Sequence, residues 1–232
     1  MSMRSNHASP ESNVSKQEVI LIRHGQSTAN ASGIWQGQLD FPLSEEGRRQ
    51  AVKAGRALRG TQISGVYSSP LARAFETAEI AAREAGSPGD VVRAPGLMER
   101  HGGVLEGKTW TEQETNNPEF VEKFLTLPEE RSWAFAGAET DEEILARFDD
   151  ALSEILSRHP SPDGPIVVVS HGGVMRAFLR DRFGPSILPG TERAPNASIT
   201  RLLYGPKDGP KLLELASTNH LPEAGTRQER VE

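Results

Sequence analysis

The chain has 232 residues, enough for one α/β domain with a sizeable core or for two small domains. Charged residues make up 25% of it and hydrophobic residues 36%, as in ordinary soluble globular proteins. The net charge of −6 argues against a surface for nucleic acid or for an anionic membrane. Because the sequence has no cysteine, it excludes disulfides, thiolate catalysis and cysteine-ligated zinc sites.

The two ends of the sequence are polar. Residues 1–17 lack the apolar stretch of a secretory signal, so we expect a disordered leader before a single domain at 18–218. Residues 219–232 are expected to form a flexible tail. No stretch reaches the apolar length of a membrane-spanning helix, and a cytoplasmic location is the simplest expectation.

Short apolar runs bounded by turn residues predict six strands. These runs begin at Glu18, Gly65, Asp90, Pro165, Ala197 and Lys211. Helical periodicity predicts helices at 44–59, 71–85, 140–156 and 172–183. Strands separated by helices favour a three-layer α/β/α fold, in which a mainly parallel central sheet lies between two helical layers. The short turn between the last two runs predicts an antiparallel pair at one edge of this sheet.

A segment of mixed polarity interrupts this pattern at 110–136. It has the character of an insertion, or lid, that covers something. Its aromatic side chains, Trp110, Trp133 and Phe135, could shape a substrate pocket or could anchor the insertion. The sequence leaves both interpretations open.

Chemically active side chains follow four of the predicted strands. In chain order they are Arg23-His24, Arg73, Glu99 and Ser170-His171-Gly172. Ligands of open parallel sheets bind beyond the carboxyl ends of the strands. Two histidines, two arginines and one glutamate can therefore converge on one rim of the sheet.

The residue types at this rim favour a phosphoryl ligand. The planar fork of arginine suits phosphate oxygens, and a helix N-terminus such as the one predicted at Gly172 attracts anions. The strand end holds His24 rigidly, while Gly25 lets a ligand approach the backbone. The nearby arginines should lower the pKa of His24 and keep it neutral and nucleophilic at neutral pH.

Alternative interpretations exist for single residues. The two histidines could be structural hydrogen-bonding groups, or could ligate a metal with Glu99, although the arginines would repel a cation. Arg73 could be a solvated helix residue. Three side chains are expected to have supporting or surface positions. Glu106 is expected to brace its loop, Ser170 to make a supporting hydrogen bond, and His101 to lie near the site or at the surface. His7, His159 and His220 are expected to be exposed.

Five stretches of the sequence resemble, in this order, the histidine phosphatase superfamily in its phosphoglycerate-mutase-like branch. They are LIRHGQSTAN, LSEEGRRQA, YSSPLARAFETA, LMERHGGVLEG and VVVSHGGVMRAF, and the match as a whole spans roughly 19–200. The resemblance implies the phosphoglycerate-mutase-like version of the three-layer fold. It also implies that neither a metal nor another cofactor is needed, because arginine and histidine supply the positive charge.

The resemblance further implies a role for each residue at the rim. His24 would attack phosphorus in line and form a phosphohistidine, and Glu99 would protonate the leaving alkoxide and then activate water. Arg23, Arg73 and His171 would hold the phosphoryl oxygens and offset the charge of the transition state. The remaining pocket positions would be Asn30, Gln36, Gly37 and Gly172.

The same pocket could serve a phosphatase or a cofactor-dependent phosphoglycerate mutase. The sequence departs from the mutase pattern, since Gly102 replaces a tyrosine, Trp110 a lysine and Gly173 an asparagine. The paired arginines that bind the mutase substrate are also not evident. A metal-independent phosphomonoesterase that acts on a small phosphorylated metabolite is therefore favoured.

Two further alternatives rank lower. A non-catalytic protein that binds a phosphorylated ligand is disfavoured because every expected catalytic residue is present. A protein phosphohistidine phosphatase is disfavoured by the insertion, which suits a lid over a small molecule. A homodimer would be compatible with the favoured interpretation.

Overall fold

A computed structural model of the chain describes residues 16–87, 89–160, 163–189, 193–205 and 209–221. All six predicted strands are present, with starts that differ from the prediction by no more than two residues. The strands are β1 (Gln17–Arg23), β2 (Gly65–Ser68), β3 (Val91–Arg93), β4 (Ile166–Ser170), β5 (Ile199–Tyr204) and β6 (Lys211–Ser217).

The described part of the chain forms eight α-helices. They are α1 (Thr28–Ala31), α2 (Glu45–Ala57), α3 (Ala72–Ala85), α4 (Trp110–Asn116), α5 (Pro118–Thr126), α6 (Glu129–Phe135), α7 (Asp141–Ser157) and α8 (Gly172–Phe183). The four predicted helices correspond to α2, α3, α7 and α8. Two of them begin at side-chain caps, because the side chains of Ser44 and Thr140 accept hydrogen bonds from the backbone three residues further on.

The strands form one sheet in the order β3-β2-β4-β1-β5-β6. Strands β3, β2, β4 and β1 pair in parallel, whereas β5 is antiparallel to both β1 and β6. The predicted mainly parallel sheet and the predicted antiparallel pair are both confirmed. The strand that runs against the others is β5, which lies one position in from the edge. The connection from β5 to β6 is short, so β6 returns alongside β5 and forms the edge.

Alternate residues of β1 face two different helical layers. Val19 and Leu21 belong to a cluster that includes Phe148 of α7 and Phe178 of α8. Ile20 and Ile22 belong to another cluster with the alanines of α3. Since successive side chains of a strand point to opposite faces, helices cover both sides of the sheet. This is the predicted three-layer α/β/α arrangement.

The insertion predicted at 110–136 consists of the short helices α4, α5 and α6. Its Trp133 is only 9% exposed and lies 5.7 Å, centroid to centroid, from Trp35. Glu129 of α6 pairs with Arg176 of α8, with 2.5 Å between the nearest oxygen and nitrogen. The aromatic residues and this ion pair therefore anchor the insertion to the rest of the fold.

The described residues reach into both predicted terminal segments. Gln17 is the first residue of β1, so the strand starts one residue inside the predicted leader. Residues 219–221 of the predicted tail are described, whereas 1–15 and 222–232 lie outside the described residues. Across the described ranges, no helix has the length and apolar character needed to cross a membrane.

Candidate active site

His24 lies directly after β1 and is 2% exposed. Its backbone N–H donates to the carbonyl of Ser170 over 3.0 Å, which fixes the strand end. Its Nδ1 lies 2.7 Å from the carbonyl oxygen of Gly25. Because a carbonyl can only accept, Nδ1 carries the ring proton, and Nε2 keeps its lone pair. The free lone pair makes Nε2 the nucleophilic nitrogen of this ring.

His171 comes next to His24 because β1 and β4 are neighbours in the sheet. Arg23 is opposite Ser170 in the strand register, so the residue after each strand meets the other. The two imidazole centroids are 5.0 Å apart. The Nε2 of His171 lies 2.8 Å from Ser69 Oγ, while its buried Nδ1 has no hydrogen-bond partner within the described ranges.

Two arginines approach the same pair of histidines. Arg73 is fully buried, and its two terminal nitrogens donate to the carbonyls of Gly37 and Leu39 at 2.8 and 2.9 Å. Arg23 donates to the carbonyl of Ala194 at 2.6 Å. The Nε atoms of both arginines are buried and have no partner among the described residues. Unpaired buried donors are costly, so these N–H groups suit an anionic ligand.

The electrostatic surroundings keep both histidines neutral. Burial lowers the pKa of His24 well below its usual value, and Arg73 and Arg23 lower it further. Burial is also the largest cause of the low pKa of His171, followed by Arg73. The sequence predicted this direction for His24 from the arginines alone, whereas desolvation is the larger cause. Arg23 stays protonated at neutral pH, since burial and Arg193 lower its pKa only to about 10.

Glu99 is docked on the N-terminus of α8. Its Oε1 accepts from the backbone N–H groups of Arg100 and Val174 at 2.8 and 2.9 Å, and its Oε2 accepts from Gly173 at 2.9 Å. Burial alone would raise the pKa of this carboxyl. The Arg193 guanidinium and these N–H groups outweigh that effect, so the pKa of Glu99 lies below its usual value. Two N–H groups of the helix terminus that the sequence predicted as an anion site therefore already hold this carboxylate.

One arginine of α7 supports the loop that carries Glu99. Arg147 donates to the carbonyls of Gly96, Met98 and Glu99 at 3.0, 2.7 and 3.0 Å. It also pairs with Glu139 at 2.9 Å. The backbone of Glu99 is thus held from α7 while its carboxylate is held from α8.

The other predicted pocket residues are Asn30, Gln36, Gly37 and Gly172. Asn30 accepts from the backbone N–H of Ser27 at 3.1 Å, and the side chain of Gln36 accepts from Ser27 Oγ at 2.7 Å. Gly37 has a φ of +50°, and a Cβ there would meet Glu106 Oε1 at 1.8 Å. A Cβ on Gly172 would lie 3.1 Å from Cζ of Arg23. Gly37 and Gly172 thus leave room for neighbouring charged groups.

The three residues with predicted supporting or surface positions are Glu106, Ser170 and His101. Glu106 braces its loop as predicted, since Oε1 accepts from the N–H groups of Gln38 and Gly102 at 2.9 and 2.7 Å. The predicted supporting hydrogen bond of Ser170 is also present, from Oγ to the carbonyl of Leu97 at 2.8 Å. His101, with a side chain that is 49% exposed, lies at the surface.

The prediction that two other histidines are exposed was wrong. His159 is partly buried, with Nε2 2.9 Å from the Tyr67 hydroxyl, and His220 is partly buried, with Nε2 3.0 Å from the carbonyl of Ala197. Both sit in polar segments of sequence whose folding against the sheet could not be read locally. His7 lies outside the described residues.

Sequence reasoning missed two residues that precede β5. Arg193 lies with its Cζ 5.1 Å from the Trp35 ring centroid. Asn196 donates from Nδ2 to the carbonyl of His24 at 3.0 Å. The start of β5 lies beside the end of β1 because the two strands are antiparallel. The pairing of β5 with β1 brings both residues to the rim, and no local pattern in the sequence indicates that pairing.

Within the described ranges, no group of three or more histidine, aspartate or glutamate side chains is arranged to hold a metal ion. The charged groups around His24 are instead Arg23, Arg73 and the Glu99 carboxylate. This arrangement combines a neutral nucleophile, donors for an anion and a carboxylate that can exchange a proton.

Comparison with known proteins places the chain in a family. A metal-independent phosphoserine phosphatase of Arabidopsis thaliana is 38% identical over 165 residues, covering 70% of this chain and 68% of that protein. Phosphoglycerate mutase-like protein 4 of the same plant is 34% identical over 212 residues, covering 91% and 90%. The native structure of mycobacterial glucosyl-3-phosphoglycerate phosphatase has a TM-score of 0.72 at 29% identity, covering 88% of this chain and 100% of that one. A family model, the histidine phosphatase superfamily (branch 1), matches residues 19–218, and the chain belongs to this superfamily.

Proposed function

We propose that the protein is a metal-independent phosphomonoesterase that transfers a phosphoryl group from a small phosphorylated metabolite to His24 and then to water. The observation that carries the proposal is the surroundings of His24. A neutral, buried imidazole with Nδ1–H fixed by Gly25 lies among three side chains that each have a buried nitrogen without a partner in the described residues. These side chains are Arg23, Arg73 and His171.

The first step forms a bond from His24 to phosphorus. The lone pair of Nε2 attacks phosphorus while the ester P–O bond breaks. Nδ1 keeps its proton, which stays hydrogen-bonded to the Gly25 carbonyl. Arg23, Arg73 and His171 stabilise the charge on the equatorial oxygens, which matters most when the transition state is loose.

The leaving alcohol needs a proton, which Glu99 supplies. Because the pKa of Glu99 is lowered, this carboxyl is ionised in the free enzyme and must first accept the proton of a substrate monoanion. Within the described ranges its Oε1 accepts two hydrogen bonds, whereas Oε2 accepts one, from Gly173. Oε2 therefore keeps a lone pair that can carry the proton to the leaving oxygen.

The second step regenerates the enzyme. The Glu99 carboxylate takes a proton from a water molecule as the water oxygen attacks the phosphorus of phosphohistidine. The P–N bond breaks, Nε2 of His24 regains its lone pair, and phosphate leaves with the proton returned from Glu99.

A phosphoglycerate mutase is the second candidate, since the likeness to phosphoglycerate mutase-like protein 4 covers 91% of the chain. The site disfavours it. A side chain at position 173, where mutases carry asparagine, would displace the Glu99 carboxylate from its place in this structure, because a Cβ there would lie 2.5 Å from Glu99 Oε1. Trp110, at the lysine position of mutases, packs 5.9 Å from Phe124 within the insertion.

The test measures phosphate release, in the presence of a metal chelator, from 3-phosphoglycerate, phosphoserine, a sugar phosphate and a nucleoside monophosphate. Formation of 2-phosphoglycerate from 3-phosphoglycerate is assayed alongside. Free phosphate without added metal is the expected result. Formation of 2-phosphoglycerate without free phosphate would make the protein a mutase. Binding of inorganic phosphate with neither product would make it a non-catalytic binding protein.

A further inference from the structure

Arg193 is a charged group at the site that the two proposed steps do not use. Its Cδ would lie 3.3 Å from a Cβ on Gly172, the residue after His171, and its Cζ stands over the Trp35 ring. Arg193 also interacts electrostatically with Arg23 and Glu99, lowering the pKa of each. It therefore borders the site between the start of α8 and the Trp35 side chain.

Arg193 differs from the neighbouring arginines in its partners. Arg23 and Arg73 donate to backbone carbonyls, and Arg147 pairs with Glu139. In contrast, the guanidinium of Arg193 makes no hydrogen bond and no ion pair within the parts of the chain that the structure describes; its contact there is the Trp35 ring. Arg193 is exposed, and its fork rests on an aromatic face with no partner among the described residues, so its N–H groups are accessible to a planar anion that enters from solvent.

The position of Arg193 relative to Glu99 indicates which part of a substrate it meets. The proposed phosphoryl position is surrounded by Arg23, Arg73 and His171. Glu99 must reach the oxygen that leaves, so its side of the pocket holds the alcohol part of the substrate. A Cβ on Gly172 would lie 3.3 Å from Cδ of Arg193, and a Cβ on the next residue, Gly173, would lie 2.5 Å from Oε1 of Glu99, so the two side chains border successive residues of α8. They attract each other electrostatically but form no ion pair within the described ranges. Arg193 therefore lies on the leaving-group side.

We infer that Arg193 binds a carboxylate on the alcohol part of the substrate and so selects phosphomonoesters that carry a second anionic group. This inference rests on the proposed phosphatase function and adds the substrate class. The planar guanidinium can donate two parallel hydrogen bonds to a carboxylate, which a hydroxyl or an amine in the same place cannot accept.

The experiment compares 3-phosphoglycerate with glycerol 3-phosphate, two esters that differ by a carboxylate in place of a hydroxymethyl group. Hydrogen bonds to charged groups favour the carboxylate substrate in the wild type by about 10-fold to 100-fold in kcat/KM. Arg193→Met should lower kcat/KM for 3-phosphoglycerate by that factor more than it lowers kcat/KM for glycerol 3-phosphate. Effects on the phosphoryl group cancel in this ratio.

Two further variants keep the result interpretable. Arg193→Lys retains the charge but loses the fork, so it should keep only part of the preference, and it provides a second measurement if Arg193→Met folds poorly. Arg49→Met is the matched control, since Arg49 is an exposed residue of α2 paired with Glu46. It should leave the preference as in the wild type.

The outcomes separate this inference from the proposed function. Equal kcat/KM values for the two esters in the wild type, or a preference that survives in both Arg193 variants, would overturn the role of Arg193 and leave the phosphatase proposal standing. Absence of phosphate release from every ester of the panel would overturn the phosphatase proposal itself.

Discussion

The carboxylate of Glu99 occupies the space that a side chain on residue 173 would need. A Cβ built on Gly173 would lie 2.5 Å from Oε1 of Glu99, and the N–H of the same glycine donates to Oε2 at 2.9 Å. Gly173 therefore holds the carboxylate with its backbone and makes room for it by lacking a side chain. The position of the proposed acid depends on α8 as much as on the loop that carries it.

Replacement of Gly173 by alanine should displace the acid. We expect kcat/KM for an alkyl phosphate to fall by about 100-fold, the effect of a misplacement of about 1 Å, with a smaller loss on p-nitrophenyl phosphate. Gly209→Ala is the matched control, because a Cβ there meets no atom of the described residues within 4 Å. Steady-state kinetics on both esters test this. Equal rates for Gly173→Ala and the control would show that the docked position of Glu99 is not used in catalysis.

Glu99→Gln keeps the shape of the side chain and removes its proton chemistry. The variant should lose about 100-fold to 10,000-fold in kcat on alkyl phosphates, which is the usual contribution of a general acid. The loss should be much smaller on p-nitrophenyl phosphate, since a phenolate leaves without protonation. Single-turnover rates on the two esters provide the measurement. The same loss on both would remove Glu99 from the acid role.

His171 makes stability depend on pH. Burial, then Arg73, holds the pKa of His171 well below its usual value, so the unfolded chain takes up a proton that the folded chain refuses. The free energy of unfolding should therefore fall as pH drops below about 6.5, by up to about 1.4 kcal/mol per pH unit from this residue. In His171→Gln this part of the slope is missing. Urea denaturation at neutral and acidic pH measures the free energy of unfolding of the wild type and of His171→Gln. The same dependence of this free energy on pH in both proteins would contradict the prediction.

Arg147 of α7 should matter far more for stability than Arg158, the residue that follows the same helix. Arg147→Met removes the side-chain donor of the Gly96 and Met98 carbonyls and the ion pair with Glu139, and we expect a loss of about 3 kcal/mol. Arg158 pairs with Glu154 at the surface of α7, with side chains that are 52% and 65% exposed. Arg158→Met should cost less than about 1 kcal/mol. Denaturant unfolding measures the loss of stability in both variants. A similar loss in each would contradict the supporting role of Arg147.

The sequence predicts the elements of this fold because hydrophobic periodicity and turn residues are local signals. The meeting of His24 and His171 follows from the same signals, since parallel strands end at the same edge of a sheet. The positions of Arg193 and Asn196 could not be predicted, because they depend on the pairing of β5 with β1 across 175 or more residues. The docking of Glu99 on α8 depends on the path of an irregular loop, which no sequence period encodes.

The most direct test of the account is rapid quenching of the enzyme during turnover of a phosphomonoester with a labelled phosphoryl group. We expect an acid-labile, base-stable phosphohistidine that peptide mass spectrometry locates on His24. Neither label nor phosphate release should be found in His24→Ala. A burst of phosphate without any covalent intermediate, or a label on another residue, would contradict the central role of His24.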